Sequence, residues 1–97
     1  MKFLIRKHPS FLGGIQCRII FPQGTGISII NGNHAYCDGN TFEIAPLFDK
    51  RLTFIDSWGD EVKGHVTEKE ISEIVAFAET HTKEEYREYL ENHEFVN

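Results

Sequence analysis

Cysteine, basic charge and long apolar runs are all scarce in this chain, and each scarcity removes a class of protein. The two cysteines, Cys17 and Cys37, form no Cys-x-x-Cys pair, so neither a disulfide scaffold nor a module with paired thiol ligands follows from them. Only Phe3-Leu4-Ile5 is apolar between Met1-Lys2 and Arg6-Lys7, too short for the centre of a secretory leader, and the expected location is a reducing cytoplasm. No apolar run approaches the roughly 20 residues that cross a bilayer. Ten Lys and Arg stand against fifteen Asp and Glu, and the net charge of −5 opposes contact with anionic membranes or nucleic-acid phosphates. Neither Gly-Lys-Ser/Thr nor Gly-x-Ser-x-Gly occurs, so Gly13-Gly14, Gly24-Thr25-Gly26 and Gly32 read as turns rather than as phosphate cradles or nucleophile elbows.

Aromatic residues, by contrast, are abundant: eight Phe, three Tyr and one Trp in ninety-seven residues. Large rings let a small domain build a core without staples. That length is one domain, residues 1–97, burying roughly two-thirds of the surface of its unfolded chain.

The first two-thirds carries the punctuation of short antiparallel strands. Ile15, Cys17, Ile19 and Phe21 recur at every second position, the pattern of a strand with one face more buried than the other. Phe21-Pro22-Gln23-Gly24 predicts a turn, and Gly26 to Ile30 the returning strand. Asp38-Gly39 predicts a second tight turn between Ala35-Tyr36-Cys37 and the strand Thr41 to Ala45. Pro46 places that strand at a sheet edge or ends it there, because proline donates nothing to a ladder. Asp49-Lys50-Arg51 predicts a further turn into Leu52-Thr53-Phe54-Ile55.

After Gly64-His65-Val66 the period becomes helical. Thr67 with Glu70, and Thr82 with Glu85, are Thr-x-x-Glu capping signals for two successive helices, the second ending near Asn92. Ile71, Ile74, Val75 and Ala78 form one apolar stripe, while Tyr86, Tyr89, Leu90 and His93 share one side of the second helix. The expected fold is therefore α+β: a mainly antiparallel sheet of about four to six strands followed by two C-terminal helices.

Charge divides with the same boundary. Asp60 to Asn97 holds eleven acids against four bases, whereas Met1 to Gly59 holds four acids against six. Glu84, Glu88 and Glu91 fall on the polar side of the last helix, with Glu85 and Glu94 beside them, and only Arg87 among them is positive. Such a face either solvates the helix or presents a negative surface to a basic groove, where complementary charge speeds encounter and excludes wrong partners. Trp58, flanked by Asp56, Asp60 and Glu61, is either a core residue or an anchor for the same partner. The Tyr86, Tyr89, Leu90 stripe packs on the sheet of its own chain or on a second copy in a homodimer.

A chemical alternative centres on His34, Cys37 and Asp38. His34 and Cys37 are separated by two residues, and Cys17, His8, His65, His81 and His93 are further potential ligands, so a mixed zinc site or small ligand site is one alternative. A minor hydrolase would draw on Asp38, Asp56 or Asp60, His34 or His65, and Cys37 or Ser57. No local frame assembles these residues, and the expectation is a protein with no enzymatic activity and no cofactor.

Gly26-Ile27-Ser28-Ile29-Ile30, Tyr36, Phe42-Glu43-Ile44-Ala45-Pro46-Leu47 and Val62 to Glu70 together cover about half the chain. They resemble a family of small phage and prophage proteins, in which a Tyr-Gly-x-Ser-Val-like strand precedes a Phe/Tyr-Glu-x-Ala-x-Leu strand and a Gly-Tyr-Leu-Thr turn into a helix. The chain departs from the pattern at Thr25, before Gly26, and at His65-Val66, where the pattern has Tyr-Leu. The resemblance implies a viral accessory protein in the host cytoplasm. In that class, small acidic proteins inhibit host enzymes such as CRISPR effectors or restriction systems. The pattern names no functional residue to carry over. The expected partner is thus a host protein with a basic surface, met through Glu84, Glu85, Glu88, Glu91, Glu94 and Trp58, without direct nucleic-acid or membrane contact.

Overall fold

The computed structural model describes residues 2–7, 15–31 and 41–96. Six strands and two helices follow in order: β1 Lys2–Lys7, β2 Ile15–Ile20, β3 Thr25–Asn31, β4 Thr41–Phe48, β5 Arg51–Leu52, β6 Lys63–Thr67, α1 Glu68–Ala78 and α2 Lys83–Asn92. The strands form one antiparallel sheet in the order β1-β2-β3-β4-β5, with β6 also paired to β4. This is the α+β architecture expected from the sequence.

Local chemistry explains the turns. Phe21 closes the β2–β3 hairpin, its N–H donating to Thr25 O at 2.8 Å and its carbonyl accepting from Gly24 N at 3.3 Å. Gly24 holds φ +84°, which glycine adopts without a Cβ penalty. Asp49 and Lys50, at φ 53° and 68°, make the two-residue link between β4 and β5, whose twist needs positive φ at both central positions. The strand expected over Leu52–Ile55 is shorter: β5 ends at Leu52, and Ile55 makes only an isolated bridge to Asp60. The Asp38-Gly39 turn and the Ala35–Cys37 strand lie outside the described residues.

Pro46 corrects an expectation. It neither ends β4 nor marks a sheet edge, since β4 runs on to Phe48 with β3 along one side. On the other side β6 pairs at Thr41, Phe42 and Ile44, β5 pairs at Leu47 and Phe48, and Pro46 falls in the gap between them. A residue without an N–H is tolerated where no strand lies opposite to accept from it. In β6 the register slips between Phe42 and Ile44, and His65 sits at φ 56° where β6 carries the extra residue of a bulge.

Both helices begin at complete capping boxes. Thr67 Oγ1 accepts from Glu70 N at 3.2 Å while the Glu70 carboxylate accepts from Thr67 N at 3.0 Å, and Thr82 with Glu85 repeats the arrangement at 3.2 and 2.9 Å. Ile74 and Ala78 of α1 and Tyr86 and Leu90 of α2 are fully buried with Ile19, Phe21, Ile27, Ile44, Ile55 and Val66. The Tyr86, Tyr89, Leu90 stripe therefore packs within its own chain. Burying each such large apolar side chain stabilises the fold by roughly 1.5–3 kcal/mol before conformational entropy is counted.

Tyr86 fixes α2 on the sheet. Its hydroxyl donates to Gly26 O at 2.9 Å, and its ring lies edge-on to Phe21 and stacked on Phe48, with centroids 6.0 and 5.4 Å away. Gly26 itself admits no larger residue, because a Cβ there would stand 2.6 Å from the carbonyl oxygen of Ile19. With α2 fixed in this way, Glu84, Glu85 and Glu88 on its outer surface are exposed.

Candidate acidic aromatic groove

An open groove of about 560 Å³ runs where the end of α1, the Thr80–Thr82 link, α2 and the C-terminal tail meet. Its wall is a column of rings. His81 lies flat on Phe77 with centroids 3.7 Å apart and planes 7° from parallel; Tyr89 covers the opposite side of that stack at 4.4 Å, and His93 tilts onto Tyr89 at 5.3 Å. Phe95 meets His93 edge-on at 4.5 Å, and Trp58 meets Phe95 at 5.8 Å, so the column continues from the groove to the loop after β5.

Phe77 of α1 stacks with His81 of the link that follows the helix, Tyr89 of α2 meets His93 at that helix's C-cap, and the packing of Phe77 on Tyr89 joins the two pairs. Nδ1 of His81 lies 2.7 Å from Phe77 O. A carbonyl only accepts, so Nδ1 carries a proton and donates it to Phe77 O.

Carboxylates rim the wall. Glu85, Glu88 and Glu94 line the groove together with Asn92, no Lys or Arg lines it, and among the described residues these three acids take part in no salt bridge. The Thr82 backbone N–H and hydroxyl hold the Glu85 carboxyl below its usual range, helped by the nearby His81, so Glu85 stays ionised. Burial pushes the Tyr89 phenol up, as do the charges of Glu73 and Glu70, and it remains a neutral donor.

Behind the groove a buried carboxylate ties the tail down. Glu70 is 5 % exposed. Besides capping α1, it accepts from Val96 N at 3.0 Å, and its Oε2 stands 3.7 Å from Nε2 of His93, a buried nitrogen that makes no hydrogen bond. Burial acts to raise the Glu70 carboxyl, but the hydrogen bonds from Thr67 and Val96 and the charge of His93 prevail and hold it below the usual range.

The acids expected to act together are separated by this geometry. Glu85, Glu88 and Glu94 share the groove. Glu84 instead borders a smaller hollow of about 230 Å³ with Phe48, Asp49, Lys83 and Arg87. Glu91 turns to the loop after β5, accepting from Ser57 N at 3.1 Å. That loop carries Trp58, which is half-buried against the core and Phe95, with its indole N–H buried and unpaired. Trp58 thus packs partly on the core and partly on Phe95 of the returning tail, with intermediate exposure.

His34, Cys37 and Asp38, with His8, lie outside the described residues. Among the described residues no group of three or more His, Cys, Asp or Glu is placed to hold a metal. Cys17 packs half-buried against the core, where burial pushes its thiol up. Ser57 reaches the Glu91 carboxylate, at 3.5 Å. Nor is any helix among them long and apolar enough to cross a membrane.

Phe77 and Asn92 are not legible as site residues in the sequence, and His81 and His93 stand out there only as potential metal ligands; the ring pairs spaced four residues apart are the available signal, and they need the α1–α2 packing to become a wall. No family model, curated protein or solved structure matches this chain.

Proposed function

We propose that this chain is a small, non-enzymatic, phage-type accessory protein that binds a host protein through the acidic groove and inhibits it by occupying a basic surface. A nucleic-acid-handling enzyme of host defence, of the CRISPR or restriction type, has a channel of the required charge. The observation that carries this reading is the groove rim: Glu85, Glu88 and Glu94 stand around an aromatic wall with no basic residue among its lining. A pocket of that kind attracts cationic side chains by charge and offers them ring surface once they arrive.

The test is affinity capture from host lysate by the tagged protein and by its Glu85→Gln/Glu88→Lys/Glu94→Lys variant, at low and raised salt. Support is a nucleic-acid-binding protein that is held by the unmodified chain, released by salt and missed by the variant, and whose activity falls when the purified chain is added. An identical set of captured proteins for both chains would remove the groove from the interface.

A further inference from the structure

The lining of the groove bears on which kind of basic side chain it takes, and this inference rests on the docking reading above. We propose that it takes an arginine of an extended partner segment, with the guanidinium flat against the outer face of His81 and its N–H groups directed to Glu85.

His81 is the end ring of the column. Phe77 covers one of its faces at 3.7 Å, and no other ring or cation among the described residues stacks on the opposite face. Its orientation is fixed, since Nδ1 is held by Phe77 O at 2.7 Å. A flat, immobilised ring with one face unstacked suits a planar cation.

Glu85 supplies the second element. Its Oε1 is committed to Thr82 N at 2.9 Å, so the carboxylate is anchored beside His81 rather than swinging freely. An anchored carboxylate next to a ring surface matches the fork of a guanidinium, which pairs through two N–H groups while its plane stacks. An ammonium is a compact, strongly hydrated charge that gains the Coulomb attraction of Glu85, Glu88 and Glu94 but not the stacking. The protein's own ring-bound cations, Arg87 over Phe48 and Lys63 over Phe95, both lie on rings outside the groove lining, leaving the acids there for a cation from outside.

The test compares fluorescently labelled hexa-arginine and hexa-lysine peptides of equal charge, read by anisotropy at about 0.05 M and about 0.3 M NaCl. The full chain, His81→Ala, His81→Phe and Glu85→Gln are used, each checked for folding by circular dichroism. Glu85→Gln removes the charge while keeping a residue that completes a capping box. The expected result is about tenfold tighter binding of the arginine peptide. That preference is lost in His81→Ala, kept in His81→Phe and reduced in Glu85→Gln. Equal affinity of the two peptides for the full chain overturns the arginine assignment while leaving the docking reading intact. A preference that survives His81→Ala overturns its placement on His81, and failure of both peptides to bind at low salt overturns the assignment and the docking reading together.

Discussion

The Tyr86 hydroxyl on α2 donates to the carbonyl oxygen of Gly26 on β3 at 2.9 Å, joining residues sixty positions apart in a fully buried contact. Burial pushes the phenol up, so it is a proton donor across the whole working range of pH. The bond therefore sets where α2 lies on the sheet, and with it the outer surface of α2 that carries Glu85, Glu88 and Tyr89.

Tyr86→Phe keeps the ring contacts with Phe21 and Phe48 and removes only the donor. The expected cost is about 1–2 kcal/mol, because the Gly26 carbonyl stays buried with one partner fewer. Urea denaturation measures it, with a lower midpoint and an unchanged slope expected. An unchanged midpoint would mean that the bond adds nothing to the docking of the helix.

Gly26→Ala presses on the same place from the sheet side. The added Cβ would stand 2.6 Å from Ile19 O and 3.2 Å from Cδ1 of Ile20, and backbone cannot yield as a side-chain tip does. A loss of about 1–3 kcal/mol is expected, the range for overpacking in a tight core. A neutral substitution in calorimetry would show that β2 and β3 separate locally at little cost.

Much of this fold was legible because its signals are local. Thr67-x-x-Glu70 and Thr82-x-x-Glu85 announce helix starts within four residues, and both boxes form as written. The alternation through Ile15–Phe21 needs only its own strand. Pro46 misled because its tolerance depends on β5 and β6 sharing opposite halves of β4, which no single strand reveals. The groove was only half legible for the same reason. Tyr89 and His93 sort onto one side of α2 by spacing alone, but Phe77 and His81 join them only after α1 packs beside α2. Trp58 was ambiguous because its cover, Phe95, returns from the far end of the chain.

Glu70 gives the protein an acid-sensitive latch on its tail. A carboxyl held below its unfolded value stabilises the folded state fully above that value, near 4.5, and the contribution fades as pH falls through the lower folded value. Thermal melts from about pH 6 to about pH 3 should therefore lose stability more steeply in the unmodified chain than in Glu70→Gln. The glutamine retains a capping partner for Thr67, so a difference in slope reports the ionised carboxylate rather than the cap. Parallel curves would place the acid sensitivity elsewhere.

Glu91 and Glu88, three residues apart on one helix, are predicted to have opposite consequences. Glu91 holds the Trp58 loop through Ser57 N at 3.1 Å, whereas Glu88 lines the groove and belongs to no salt bridge among the described residues. Glu91→Gln should weaken the bond to Ser57, cost about 0.5–1 kcal/mol and shift the fluorescence of the single tryptophan, with little effect on a basic partner. Glu88→Lys should leave stability and fluorescence nearly unchanged, since surface substitutions are usually within about 0.5 kcal/mol, yet weaken a basic partner through charge reversal. Tryptophan emission and peptide anisotropy on the two variants separate the roles. If Glu91→Gln weakened the peptide as much as Glu88→Lys does, the interface would extend from the groove to the Trp58 loop, and the buried end of the ring column would belong to it as well.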